Sequence, residues 1–235
     1  MDYVVEPDQV RRLLAPQMAQ YRLNLYNACL EGDTEEVQRI LEYYHFTETD
    51  LGAFNNSAFT FTCANGNVKT AQWILHKCKI DQNSPCISQA MEAASTNGRL
   101  DVVQWLTKHF DLYTTEALVE KCLAAACMKS HLEVAKWIAQ RYRLTSGDVH
   151  EWGGNKLPYV VCKHADLETV KWVMDRFSIP IYDMRLESIN GETPFDAASN
   201  RDEVYPWLEA YFATRQHGEA TDPWRYDQMN DYTKN

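Results

Sequence analysis

The chain has 235 residues, 45% apolar and 24% charged, and its 23 basic against 33 acidic side chains leave a net charge of −10. That apolar content suffices for a packed core and excludes a wholly disordered chain. The acidic balance removes the usual electrostatic grip on phosphate backbones, so nucleic acid is not an expected partner. No apolar run reaches the roughly 18 residues of a membrane span, and Met1 to Tyr21 carries acids from its second residue onward, unlike a secretory leader. The expectation is a cytoplasmic protein with no membrane contact.

The first predicted element lies in VEPDQVRRLLAPQMAQYRLNL, where Val10, Leu13, Leu14 and Met18 share one helical face and Asp8 stands as a cap behind Pro7. A capping helix over residues 1–20 is expected, with Arg11 and Arg12 on its outer side.

From residue 21 the chain repeats itself. GDTEEVQRI from Gly32, GNVKTAQWI from Gly66, GRLDVVQWL from Gly98, SHLEVAKWI from Ser130 and ADLETVKWV from Ala165 are one segment five times, with starts 34, 32, 32 and 35 residues apart. A degenerate sixth copy, DEVYPWL, ends on Leu208. Trp73, Trp105, Trp137, Trp172 and Trp207 occupy a single repeat position, which assigns them to packing between neighbouring units. Before each turn residue runs an alanine-rich stretch such as Leu123 to Ala126, and after it comes an apolar stripe such as Leu100, Val103 and Leu106. The first favours a helix by propensity and the second by its 3.6-residue period. Each unit therefore reads as helix, turn, helix, with neither helix much beyond ten residues. Such short helices need their neighbours, and the fold class expected is an all-α helical-repeat solenoid of about six helix-turn-helix units over residues 21–213. Polar stretches at Asn83 to Pro85, Tyr113 to Thr115, Ser146 to Asp148 and Asn190 to Gly191 are expected to be loops.

The seven cysteines contain no Cys-x-x-Cys pair, so neither a zinc ribbon nor a disulfide framework fits. Cys29, Cys63, Cys127 and Cys162 recur just upstream of the repeated segment and are expected to be buried thiols. His76, Cys78 and Cys86 match no common zinc spacing, and no nucleophile motif accompanies the histidines, so neither metal site nor catalytic residues are assigned. With nine glycines and no Gly-x-x-x-x-Gly-Lys or Gly-x-Gly-x-x-Gly, no nucleotide or other cofactor is expected. Asn55 to Ser57 forms a glycosylation sequon with nothing else to place it in a secretory route. The tail, residues 214–235, is too poor in aliphatics for a core of its own and offers Trp224 and Tyr226 as anchors, either packed on the last unit or used as a linear motif.

The segment INGETPFDAAS from Ile189 resembles the hairpin and first helix of an ankyrin repeat, with Phe195 and Asp196 in place of Leu-His; Thr193 and Pro194 would start that helix. The other copies resemble the family through their period and the Leu-Glu-Val-Val-x-Trp-Leu pattern of the second helix. Tryptophan there, followed by an aromatic and Leu-Thr, looks like the divergent arrays of large DNA viruses of amoebae. The resemblance implies a non-enzymatic module that binds a partner protein through a concave groove and loop tips. In a viral factor this would sequester or redirect a host protein in the host cytoplasm; the alternative readings are a structural component of a virion or larger assembly and, behind it, an enzyme on a helical-repeat scaffold. It also implies that the two residues before each turn line the groove: Leu30, Glu31, Ala64, Asn65, Thr96, Asn97, Met128, Lys129, Lys163 and His164. Lys129, Lys163 and His164 would make its later half basic and suit an acidic or phosphorylated segment.

Overall fold

The structure is a computed structural model that describes residues 18–43, 57–78, 80, 84–110, 115–152, 156–188 and 190–215. Among these are thirteen α-helices, one short 3-10 helix and no strand. No helix among them is long and apolar enough to cross a membrane. The chain divides into two compact units, Met1–Val149 and His150–Asn235.

The first unit contains four consecutive helix pairs: α1 (Met18–Glu31) with α2 (Thr34–Tyr43), α3 (Ser57–Ala64) with α4 (Val68–Cys78), α5 (Pro85–Thr96) with α6 (Leu100–Phe110), and α7 (Glu116–Met128) with α8 (Leu132–Arg141). First helices pack on first helices and second on second, so the unit has two helical layers. The first helices of three pairs are longer than the spacing suggests, with 14 residues in α1, 12 in α5 and 13 in α7.

One backbone device makes every turn between partners. The amides of Asp33, Asn67, Arg99 and His131 each donate to the carbonyl five residues earlier, on Ala28, Thr62, Ala94 and Ala126, closing the first helix. This closure requires a left-handed residue just before the donor: Gly32, Gly66 and Gly98 have φ of 74°, 88° and 69°, and Ser130 takes 59° at the fourth. The residue after the turn then ties one pair to the last. Asn67 Nδ2 donates to the Leu30 carbonyl at 3.1 Å, and Arg99 Nε donates to that of Ala64 at 3.3 Å. A side chain on Gly32, Gly66 or Gly98 would meet Asn67, Arg99 or His131 respectively, so these glycines serve conformation and close approach together.

The core follows the residue after each tryptophan. Ile74, Leu106 and Ile138 are at most 2% exposed, as are Val173 and Leu208 in the second unit. All five repeat tryptophans are half-buried; Trp105 meets Phe59 edge-on at 6.3 Å, and Trp172 meets Phe177 at 5.8 Å. Cys29, Cys63, Cys127 and Cys162 are fully buried, beneath the turns where a larger residue would separate the helices.

Ser146 to Asp148, expected as a loop, begins helix α9 (Ser146–Glu151). The cause is local: the Thr145 amide and hydroxyl both donate to Asp148 Oδ2 at 2.6 Å, and the Asp148 amide points back to the Thr145 hydroxyl. This reciprocal cap fixes a helix start despite the Ser-Gly pair. It also holds the Asp148 carboxyl below its usual range, chiefly through the Thr145 hydroxyl bond.

The second unit holds α10 (Lys156–His164), α11 (Leu167–Arg176), the 3-10 turn Asp183–Arg185, α12 (Pro194–Ala198) and α13 (Val204–Arg215). Thr193 caps α12 through a full capping box with Asp196, and Pro194 occupies the first turn, where its missing amide costs nothing. Asn190 and Gly191 form a tight turn closed by Ser188 N to Glu192 O at 2.8 Å, with Gly191 at φ 73°. Arg201, like Asn67 and Arg99, reaches back, donating to the Cys162 carbonyl at 3.0 Å. Helix α1 already begins at Met18 and α13 runs to Arg215, so a helix crosses each boundary expected at 20 and 213. Residues 1–17 and 216–235, including Val10, Leu13, Leu14, Trp224 and Tyr226, lie outside the described residues.

Candidate functional site

The residues expected to line a groove stand at the C-terminal ends of the first helices. In the first unit Leu30, Ala64, Asn65, Thr96 and Met128 are half-buried, and Glu31, Asn97 and Lys129 are exposed. Several serve their own helix. Asn65 Nδ2 donates to the Phe61 carbonyl at 2.9 Å, Asn97 Nδ2 to that of Ala93 at 2.8 Å, and the Thr96 hydroxyl to that of Glu92 at 2.8 Å. The Phe61 and Ala93 carbonyls also accept the amides of Asn65 and Asn97, so these side chains add a second donor at the helix end and have less to offer a partner.

In the second unit Lys163 and His164 are exposed, but Lys163 is not the unpaired cation its position suggests. Its ammonium donates to the Tyr159 hydroxyl at 2.6 Å and to Glu192 Oε2 at 3.0 Å, while Tyr159 donates to the same carboxylate oxygen at 2.7 Å. The Tyr159 bond first, then Glu192, raises the Lys163 pKa, and the same contacts lower that of Glu192. Glu192 offsets the Lys163 charge, correcting the expected contribution of Lys163 to a basic half-groove.

Higher on the first helices lies an apolar surface that shares only Leu30 and Met128 with the residues expected from the sequence. Leu23, Tyr26 and Leu30 recur at helical spacing on α1, opposite the buried Leu25, Ala28 and Cys29. On α3, Phe61 stacks edge-on against Tyr26 at 4.8 Å. Leu23 is 49% and Phe61 36% exposed, among the few large apolar side chains left open in the described residues. Small or half-buried residues continue the face on α5 and α7, namely Ala93, Ala124, Ala125 and Met128, with Glu92 and Lys121 exposed beside them. The signal was present in the repeat register. Five residues before the turn, Phe61 stands where other copies carry Asn27, Ala93, Ala125 and Val160.

Chemistry at the thiols is disfavoured by their surroundings. Burial pushes Cys29 up to about 11 and Cys122 and Cys162 up to about 12, and drives Cys63 and Cys127 upward too. All five therefore stay protonated near neutrality and supply no thiolate nucleophile. Cys86 is also buried, with its sulfur 3.2 Å from the Ser84 hydroxyl. Among the described residues no three His, Cys, Asp or Glu side chains gather as metal ligands.

One buried carboxylate remains. Asp183 is 2% exposed, its Oδ2 lies 3.4 Å from the exposed His150, and its Oδ1 is buried without a partner. Burial raises its pKa, opposed by the His150 contact. A folded-state pKa above the unfolded value means that the stabilising share of this group is complete below the unfolded pKa and is lost as pH rises through the folded one. Asp183→Asn should therefore gain on the wild type as pH rises above about 4, where an ordinary aspartate loses its proton. Hydrogen exchange within the second unit, corrected for the intrinsic rate at each pH, checks this from about pH 4 upward; a gap that stays constant would remove the desolvated charge from the account.

No family model matches the chain, and no curated protein matches it in sequence.

Proposed function

We propose that the chain is an ankyrin-like helical-repeat solenoid that holds a partner protein and catalyses nothing. The repeat register, the turn geometry shared by four helix pairs and the Thr193–Pro194 helix start support the ankyrin reading. The observation that carries the binding role is the open aromatic and aliphatic face of Leu23, Tyr26 and Phe61, on a layer whose opposite side supplies the core. Apolar side chains held open on rigid helices are typical binding anchors, since little ordering cost remains when a partner covers them. The polar helix ends, Asn97, Lys129 and Glu31 among them, would form the rim. The tryptophan-bearing viral arrays that the sequence resembles make the partner a host protein and the host cytoplasm the place of action.

The test is recovery of partners from cell extract by the full chain and by a Leu23→Glu, Phe61→Glu variant. Both positions are open enough to accept a charge, so the variant should fold, as circular dichroism would verify, and should recover the specific partner at least tenfold less. Equal recovery by a folded variant would refute this face.

A further inference from the structure

The outer surface of the second helices carries a separate feature. Helices α6 and α8 lie side by side, and a cleft of about 430 Å³ opens between them, walled by Gln104, Thr107 and Lys108 of α6 and by Trp137 and Arg141 of α8. Its origin is visible in the repeat. At the matching positions of the preceding pair, α4 and α6, stand Gln72, Leu75, His76, Trp105 and His109. Where the earlier pair has the buried Leu75, this one has Thr107, a smaller side chain whose hydroxyl is turned onto the Val103 carbonyl at 2.8 Å. The exchange of Leu for Thr sets a shorter side chain, itself only 2% exposed, in the wall of the cleft, and the exchange of two histidines for Lys108 and Arg141 places fixed positive charge at its mouth.

Those cations have no carboxylate partner among the described residues; Arg141 lies over the Tyr142 ring at 5.7 Å. The nearest acids on the same two helices, Asp101 and Glu133, are in the first turns, seven and eight residues earlier. That is roughly 10 to 12 Å along the axis, beyond the Debye length of about 8 Å in physiological salt. Glu133 is further engaged by Lys136 at 3.1 Å. A cation at a helix C-terminus is favoured by the macrodipole alone. The added features here are the cleft itself and the half-buried indole that walls it.

We propose that this cleft is a docking site for an acidic segment of a partner protein. A carboxylate would be held between the Lys108 ammonium and the Arg141 guanidinium, whose planar fork suits two parallel hydrogen bonds, and the adjoining apolar side chain would lie on Trp137. Two cations in a chain of net charge −10 are too few for the run of contacts by which nucleic acid is held. The volume falls within the range of sites that accept a few side chains. This site is on a different layer from the Leu23–Phe61 face and stands or falls without it.

The full chain, labelled with nitrogen-15, would be titrated with the peptide acetyl-Glu-Phe-Asp-Glu-Phe-amide while the Trp137 indole N–H resonance is followed. The same peptide with Gln and Asn for its acids, inorganic phosphate and a single-stranded oligonucleotide would be run beside it. A saturating shift with the acidic peptide alone is expected, weakened at least tenfold in Lys108→Ala, Arg141→Ala and Thr107→Leu. The two alanine variants change exposed side chains and keep the test valid if Thr107→Leu disturbs packing. No shift, an equal response to the neutral peptide, tighter binding of phosphate or oligonucleotide, or unchanged affinity in both alanine variants would overturn the proposal.

Discussion

Leu106→Ala is expected to destabilise the first unit by about 2 to 5 kcal/mol, and Trp105→Ala by less, although tryptophan is the more visible mark of the repeat. Leu106 is fully buried, so truncation leaves a cavity among α5, α6 and their neighbours. Trp105 is half-buried, with ring contacts to Phe59 at 6.3 Å and His109 at 5.8 Å, so truncation removes contact on one side and leaves the other to water. A loss of about 2 kcal/mol fits burial of half an indole. Because the chain has two units, the measurement is hydrogen exchange within α6 to α8 instead of a single melting midpoint. A larger loss for Trp105→Ala would reverse the order of the two and place the core outside the aliphatic row.

Gly98→Ala should cost about 2 to 3 kcal/mol, and the penalty has two separable parts. At φ 69° an alanine pays for a left-handed backbone, and its Cβ would stand 2.5 Å from the Nδ1 of His131 in the next helix pair. Gly191→Ala isolates the first part, since its φ is 73° and nothing lies within 4 Å of the added atom. Combining Gly98→Ala with His131→Ala should return the second part, seen as a coupling energy of about 1 kcal/mol. Equal costs at Gly98 and Gly191 with no coupling would show that the turn is shaped by backbone alone and that His131 is no tie between pairs.

The helix pairs and their turns were legible because the repeat is written in residues with backbone consequences. Glycine at Gly32, Gly66 and Gly98 marks a positive φ, and Thr193 with Pro194 and Asp196 marks a helix start. Cysteine ahead of the turn marks a place with room only for a small side chain. Helix α9 was misread because Ser-Gly suggests a loop, while Thr145 and Asp148, three apart, carry a cap that outweighs it.

The site was less legible. Lys163 reads as a bare cation until the fold brings Glu192, 29 residues away, within 3.0 Å. Leu23 and Phe61 carry no mark of their own in the sequence, and only the packing of α1 on α3 shows which side of each helix remains open. The tryptophans illustrate the same limit: a fixed position in the repeat reveals that the environment recurs, not how much of each ring water still reaches.

The most direct test of the binding role is photo-crosslinking from defined positions in the full chain. A benzophenone amino acid would be placed at Phe61, Thr96 or Met128 on the first-helix layer, and at Lys69 or Gln72 on α4, in living cells. The account predicts one and the same partner protein crosslinked from all three first-helix positions and absent from the two on α4. Crosslinks confined to α4, or first-helix positions that capture nothing above an unmodified chain, would contradict it.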